Sequence, residues 1–268
     1  MIQTKNRIAD VFKNRKEDEK VMSLFLTAGY PDLESTAELI LGMEQNGADM
    51  VELGMPFSDP LADGPTIQYS SEGALKNGIT MDKIFAMVRQ VREKSEIPII
   101  LMGYINPVLY YGIEKFCTHA RDAGVDGLII PDLPVEESSM LDAKAREYDI
   151  PMIYLVAPNT TDERMQLIDK ESEGFVYCVS VTGVTGAREG DEVARSVSRF
   201  IDRVVHNITR NPKMVGFGIK SHEDAEKIAA KTEGFIVGSA LINTIRENYP
   251  DDKWKEKLFA FVKKLKYG

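Results

Sequence analysis

The sequence predicts an α/β fold, a single (β/α)₈ TIM barrel, because two kinds of segment alternate along the chain. Short apolar runs rich in β-branched residues alternate with longer segments of helical periodicity. Continuous apolar strands of this kind form a parallel sheet that helices cover on the outside. Eight such units in about 250 residues match the number and size of the units in a barrel. The predicted strands begin near Val21, Ala48, Ile97, Val125, Ile150, Phe175, Lys213 and Gly234.

The segments between the predicted strands each have one apolar face. In the last of them, Trp254, Leu258, Phe261, Val262 and Leu265 follow the i, i+4, i+7, i+8, i+11 spacing of a helix face. We also expect a helix before the first strand. The spacing between strands is longer after strands 2 and 6, and we expect extra segments there and after strand 8. No linker is visible, so residues 1–268 are predicted to form one domain.

A doubly wound open sheet is the alternative architecture. Such a sheet would usually have fewer strands and a glycine-rich fingerprint after the first one. The residues at that place here, LTAGYP at positions 26–31, do not form that fingerprint. The barrel is therefore the favoured fold.

Composition and charge exclude several classes of function. The chain has 33 Lys and Arg against 42 Asp and Glu, and this net charge of −9 argues against a nucleic acid or an anionic membrane as partner. Two cysteines are too few for a disulfide-rich secreted domain. The most apolar stretch, residues 97–105, is about half as long as a membrane-spanning helix. Without a signal peptide either, we expect a soluble cytoplasmic protein.

Glu52 is the first candidate catalytic residue, because it interrupts an apolar strand near its carboxyl end. Alternation places Met50, Glu52 and Gly54 on one face of that strand. A carboxylate there is costly unless it is paired or used in catalysis. A structural carboxylate is the alternative, but the carboxyl ends of barrel strands carry the active site, which favours a catalytic role.

Asp63 is the second candidate, in a loop that three prolines and one glycine stiffen between positions 56 and 65. An Asp beside Gly or Pro is usually a turn former, and this is the simpler interpretation of Asp59 and Asp63 taken alone. The loop directly follows Glu52, however. Two carboxylates on one active-site face suit acid–base chemistry when their environments separate their pKa values.

Glycines at the ends of strands 7 and 8 predict a phosphate site. Gly216 and Gly218 follow strand 7, and Gly238 and Ser239 follow strand 8. Phosphate commonly binds at these two loops in barrel enzymes, and Ser239 could cap a helix over residues 240–246. An ordinary turn with an N-cap is the alternative, and the presence of glycine at both strand ends favours phosphate.

The long loop after strand 6 contains two glycines among small residues, TGVTG at positions 182–186. This pattern is typical of a mobile lid, although a plain flexible loop would also show it. Tyr177 precedes the loop and is either a core residue or a substrate contact. His119, His206 and His222 are scattered, so we expect no metal site.

These motifs together resemble the family of tryptophan synthase α subunits. The main motif is VELGMPFSDPLADGP at positions 51–65. The supporting motifs are FLTAGYP at 25–31, PDLPVEES at 131–138, SVTGVTG at 180–186 and GFGI at 216–219. The resemblance covers essentially the whole chain.

The resemblance implies a lyase that cleaves indole-3-glycerol phosphate to indole and glyceraldehyde 3-phosphate, with no cofactor or metal in this chain. It implies that Glu52 is the acid–base group that protonates indole C3. It implies that Asp63 accepts the indole N–H and stabilises the positive charge on the ring. The other residues that match the family's active site are Tyr177, the lid residue Thr185, the phosphate contacts Gly186, Gly218, Gly238 and Ser239, and the indole contacts Phe25, Tyr104 and Phe217.

The resemblance also implies a partner. An α subunit of this family docks on a β subunit that carries pyridoxal phosphate and receives the indole, in an α2β2 heterotetramer. Pro56 and Asp59 would contact that subunit. Two rival functions stay open from the sequence, namely another phosphate-binding barrel enzyme, such as a sugar-phosphate isomerase or epimerase, and a non-catalytic barrel kept for binding the partner.

Overall fold

Eight parallel strands form the centre of the fold in this computed structural model, which describes residues 6–16, 18–179, 190–216 and 218–268. They are β1 (Val21–Thr27), β2 (Met50–Gly54), β3 (Ile99–Met102), β4 (Gly127–Ile129), β5 (Leu155–Val156), β6 (Val176–Val179), β7 (Lys213–Gly216) and β8 (Gly234–Val237). Their hydrogen-bonded order is β4-β3-β2-β1-β8-β7-β6-β5. A parallel bridge joins Leu128 of β4 to Met152, which lies three residues before β5. The two ends of the sheet therefore meet, and the sheet closes into the predicted barrel.

Helices surround the sheet and follow the strands in the alternating order that the sequence predicts. They are α1 (Arg7–Asn14), α2 (Ser35–Gln45), α3 (Pro65–Lys76), α4 (Met81–Arg92), α5 (Ile105–Tyr111), α6 (Ile113–Ala123), α7 (Ser139–Glu147), α8 (Asp162–Glu171), α9 (Gly190–Asn207), α10 (His222–Ile228), α11 (Ser239–Asn248) and α12 (Trp254–Tyr267). Two helices follow each of β2 and β8, in agreement with the extra segments expected there. Two helices also follow β3, where we expected one. The first residues of the segment after β6, 180–189, lie outside the described residues.

The interior of the barrel is packed by alternate residues of the strands. The inner cluster consists of Ile8, Val21, Met50, Ile100, Ile129, Ile153, Phe175, Met214 and Ile236. Val51 and Leu53, the neighbours of Met50 with the opposite parity, belong instead to the larger core between the sheet and the helices. The predicted alternation along β2 is therefore present, with Met50 on the inside.

Helix α1 closes the amino-terminal end of the barrel. Its Ile8 is fully buried in the inner cluster. Asn6 caps the helix by accepting a hydrogen bond from the Ala9 N–H at 3.0 Å. Arg7 forms ion pairs with Glu96 and with Asp126, which lies just before β4. Access to the interior is thus left to the opposite end, where the strands end. None of the helices in the described ranges is long and apolar enough to cross a bilayer.

Candidate active site

Glu52 lies in the middle of β2 and is completely buried inside the barrel. The Ser23 hydroxyl on β1 donates a hydrogen bond of 2.9 Å to its Oε1 atom. Its Oε2 atom is buried without a hydrogen-bond partner among the described residues. Burial raises the pKa of Glu52 to about 8, and the bond from Ser23 lowers it by a smaller amount. Glu52 is therefore mostly protonated at neutral pH and can act as an acid.

Asp63 lies in the loop between β2 and α3, one residue before the N-cap Gly64. Burial raises the pKa of its carboxyl group, and a hydrogen bond from the Tyr104 hydroxyl lowers it. The same hydroxyl accepts the Ala62 N–H at 3.0 Å, and Gln68 Nε2 donates to the Asp63 carbonyl oxygen at 2.8 Å. The carboxylate is thus bonded to a side chain of the next βα loop, which a simple turn former does not require.

Three of the predicted site residues line one small cavity at the carboxyl end of the barrel. Phe25, Asp63 and Tyr104 form its wall together with Gly54 and Met102, and about 20 Å³ is open to a water-sized sphere. This volume is smaller than an indole ring. A planar substrate therefore requires the lining side chains to move apart on binding.

Gly54 allows Phe25 to occupy its place in this wall. A Cβ atom on Gly54 would lie 2.6 Å from the tip of the Phe25 ring, which is much closer than van der Waals contact. The residue opposite Phe25 in the register of the parallel strands is Glu52. The aromatic ring and the buried acid thus belong to adjacent strands at the same height in the barrel.

Tyr177 is on β6 and faces the inside of the barrel. It packs against the inner cluster, and its hydroxyl oxygen would lie 2.7 Å from a Cβ atom on Gly216 of β7. Burial raises the pKa of Tyr177 well above its usual value, and the nearby charge of Glu52 raises it further. Tyr177 therefore packs in the barrel interior and also lies near the candidate acid Glu52.

The loops after β7 and β8 lie side by side. The register pairs Met214 with Gly234, so Gly218 and Gly238, each four residues further on, follow the ends of adjacent strands. Gly218 has a φ of +57°, and a Cβ atom there would have no neighbour within 4 Å. This combination suits a close approach of a ligand to the backbone.

Helix α11 begins at Ser239, one residue earlier than the sequence predicts. Gly238 is its N-cap, and no side chain caps the first turn. The expectation that Ser239 is the cap is therefore wrong, because the chain already has helical geometry at Ser239. Its hydroxyl and the first N–H groups of a ten-residue helix are instead available to an anion.

Three predicted contacts, Thr185, Gly186 and Phe217, lie outside the described residues, so their roles stay predictions. Sequence reasoning missed Ser23 and Gly54. A polar residue in the apolar strand VMSLFLT was the available signal for Ser23, and its position in the main motif was the signal for Gly54.

The arrangement combines a protonated buried acid, a partly buried carboxylate and an uncapped helix N-terminus. These groups can move a proton, stabilise a positive charge and bind a phosphate, respectively. In the part of the chain that the structure describes, no three His, Cys, Asp or Glu side chains are grouped so that they could hold a metal ion. The described groups are therefore suited to acid–base chemistry on a substrate that carries an anionic group.

Known proteins resemble this chain in both sequence and structure. The sequence model described as "Tryptophan synthase alpha chain" matches residues 12–267. The tryptophan synthase alpha chain of Geotalea uraniireducens is 47% identical over 98% of this chain and 97% of its own length. The crystal structure of the alpha chain from Legionella pneumophila is 38% identical, with a TM-score of 0.87 over 98% of this chain and 96% of that one. A chain in the tryptophan synthase complex from Pyrococcus furiosus is also 38% identical, with a TM-score of 0.81 over 91% and 97% of the two chains. This chain belongs to the tryptophan synthase alpha chain family.

Proposed function

We propose that the chain is a carbon–carbon lyase that cleaves indole-3-glycerol phosphate to indole and glyceraldehyde 3-phosphate. This is the alpha reaction of tryptophan synthase in tryptophan biosynthesis. The observation that carries the proposal is the Glu52 carboxyl group, which is fully buried in the barrel and has a pKa of about 8. Asp63 and the glycine-rich ends of β7 and β8 supply the remaining groups that this reaction needs.

Glu52 begins the reaction by transferring its proton to C3 of the indole ring. The ring nitrogen then carries a positive charge, and the Asp63 carboxylate accepts its N–H and stabilises that charge. The bond between C3 and the glycerol side chain breaks, and its electron pair restores the aromatic ring. The hydroxyl group on the departing carbon loses its proton to Glu52 and becomes the aldehyde, so Glu52 ends the cycle protonated.

The remaining site residues bind the two ends of the substrate. Phe25, Tyr104 and Phe217 would contact the indole ring. Gly218, Gly238 and Ser239 would bind the phosphate at the N-terminus of α11, together with Gly186. Thr185 would close the lid over Asp63, and Tyr177 would pack beside Glu52.

We also propose that the chain works in the cytoplasm in an α2β2 heterotetramer with a tryptophan synthase β subunit, which carries the pyridoxal phosphate. This chain itself would hold no cofactor. Pro56 and the exposed Asp59 are the proposed contacts, on the side of the barrel where the strands end. Leu61 in the same loop is 93% exposed, and Tyr110 on α5 is 97% exposed, which is typical of a protein interface.

The test is release of indole from indole-3-glycerol phosphate by the purified chain, with and without a β subunit. Glu52→Gln should keep substrate binding and lose about 10²–10⁴-fold in kcat, because it removes the acid without changing its shape. Glu163→Gln, an exposed change on α8, is the matched control and should keep the native rate. Absence of indole release under both conditions, or full activity of Glu52→Gln, would overturn the proposal.

A further inference from the structure

A single hydrogen bond holds the carboxyl group of Glu52 among the described residues. Ser23 and Glu52 are both fully buried, on neighbouring parallel strands that place Ser23 opposite Met50. The Ser23 hydroxyl is therefore one step below Glu52 along the inner face, and its Oγ atom lies 2.9 Å from Oε1. The other oxygen, Oε2, has no partner in the described ranges. The two oxygens of the same group thus have different environments.

We propose that Ser23 is a positioning residue, which holds Glu52 so that Oε2 carries the proton that is transferred to the substrate. This inference rests on the function proposed above. A protonated carboxyl group has one carbonyl oxygen that accepts hydrogen bonds and one hydroxyl oxygen that donates. Because the Ser23 O–H donates to Oε1, Oε1 is the carbonyl oxygen. The proton is therefore on Oε2, the oxygen that nothing else in the described chain binds.

The same bond restricts the side-chain rotation of Glu52. A glutamate side chain rotates about three torsions. The apolar neighbours of Glu52 form no hydrogen bonds with it, so among the described residues only the bond from Ser23 fixes its direction. Among the described residues, Tyr177 on β6 is a titratable group whose charge interacts with that of Glu52, and no hydrogen bond between the two is among the causes of its pKa shift. Without Ser23, the acid would divide its time among orientations, of which only some direct Oε2 to the substrate.

Kinetics can separate this role from a purely structural one. Ser23→Ala should lower kcat roughly three- to tenfold with little change in KM, because a buried hydrogen bond is typically worth about 0.5–1.5 kcal/mol. The Ser23 bond lowers the pKa of Glu52, so its removal should move the alkaline limb of the kcat profile to higher pH. Ser23→Thr keeps the hydroxyl group and should restore both the rate and the limb.

Infrared spectroscopy gives a second readout that does not depend on turnover. The C=O stretch of protonated Glu52 is assigned as the band that Glu52→Gln lacks. This band should move to higher frequency in Ser23→Ala, because its carbonyl oxygen has lost a donor, and should return in Ser23→Thr. Ser23→Cys, which keeps nearly the same volume with a much weaker donor, serves in place of alanine if that variant fails to fold.

Ser95→Ala is the matched control. It removes another buried hydroxyl group, which accepts the Ile97 N–H at 2.9 Å at the opposite end of the barrel. It should leave the pH limb and the infrared band of Glu52 unchanged. If folded Ser23→Ala keeps the native kcat, the native alkaline limb and the native infrared band while Glu52→Gln is inactive, the positioning role of Ser23 is overturned. The proposed function is then unaffected. Full turnover by Glu52→Gln would overturn the proposed function, whereas the infrared shift would still report the contact.

Discussion

Replacement of Glu52 by glutamine should make the protein more stable, by an amount that grows with pH. The pKa of this carboxyl group is 4.5 in its ordinary state and about 8 in the folded chain, because burial disfavours the charged form. Below pH 4.5 both the folded and the unfolded chain hold the proton. The native chain and the glutamine variant therefore have the same free energy of unfolding there. Between pH 4.5 and 8 the unfolded chain ionises while the folded chain keeps its proton, and the free energy of unfolding of the native protein falls. Above pH 8 both states are ionised and the loss is complete.

The size of the effect follows from the difference between the two pKa values. Each pKa unit corresponds to about 1.36 kcal/mol, so the native chain should lose ~3 kcal/mol of stability at pH 7 and ~5 kcal/mol at pH 9 relative to its value in acid. Glutamine is neutral throughout and avoids this loss. Its carbonyl oxygen can still accept the bond from Ser23, so the packing around position 52 changes little. The variant should gain these amounts, which are a large part of a typical stability of about 5–15 kcal/mol.

Urea unfolding of the native chain and of Glu52→Gln at pH 5, 7 and 9 measures this difference directly. The two proteins should differ by less than ~1 kcal/mol at pH 5, by ~3 kcal/mol at pH 7 and by ~5 kcal/mol at pH 9. Glu163→Gln removes an exposed carboxylate of the same kind and should follow the native curve at all three values. A difference that is constant across this range, or a variant less stable than the native chain at pH 9, would refute the assignment of a buried acid with a raised pKa.

Three further substitutions test other parts of the structure. Asp63→Ala should lower kcat about 10²–10³-fold and Asp63→Asn less, because an amide oxygen still accepts the indole N–H; near-native rates in both would make Asp63 a turn former. Gly54→Ala would place a Cβ atom 2.6 Å from the Phe25 ring, which would have to move. We therefore expect a raised KM in steady-state kinetics and a free energy of unfolding in urea that is ~1–3 kcal/mol lower. An unchanged KM would show that Phe25 does not contact the indole ring. Asp169→Asn weakens a buried carboxylate that accepts the N–H groups of residues 209–211, and it should cost ~1–3 kcal/mol in urea unfolding with no change in KM.

The strands were predictable because buried parallel strands are apolar on both faces and stand out against the helices. Seven of the eight begin within two residues of the predicted position. The exception is β5, where the predicted start at Ile150 precedes the Met152 bridge and the strand begins only at Leu155. Pro151 has no N–H to donate, so pairing with β4 cannot begin before the Met152 bridge. Helix α5 was missed because it is only seven residues long and contains Pro107.

The site residues that could be predicted are those whose own sequence position marks them as unusual. Glu52 stands out as a charge in an apolar strand, and Asp63 belongs to a long specific motif. Ser23 is different, because its role depends on the register of β1 against β2, which brings it beside Glu52. Alternation along one strand gives the face of a side chain but not its neighbour on the next strand. A pairing of this kind becomes visible only when the sheet is assembled.

The apolar interior below Glu52 connects the stability of the barrel with its reactivity. Helix α1 seals the amino-terminal end with Ile8, and the inner cluster with Met50 and Phe175 fills the space below the acid. If water reached Glu52 and its pKa returned to 4.5, only about 0.3% of the molecules would hold the proton at pH 7, against about 90% at a pKa of 8. This roughly 300-fold gain in the reactive form corresponds to ~3 kcal/mol, which is also the stability lost by burying the acid at that pH. In the proposed reaction, helix α1 at the far end of the barrel would therefore contribute to proton transfer without touching the substrate. The stability that burial costs and the reactive form that it gains correspond to the same free energy.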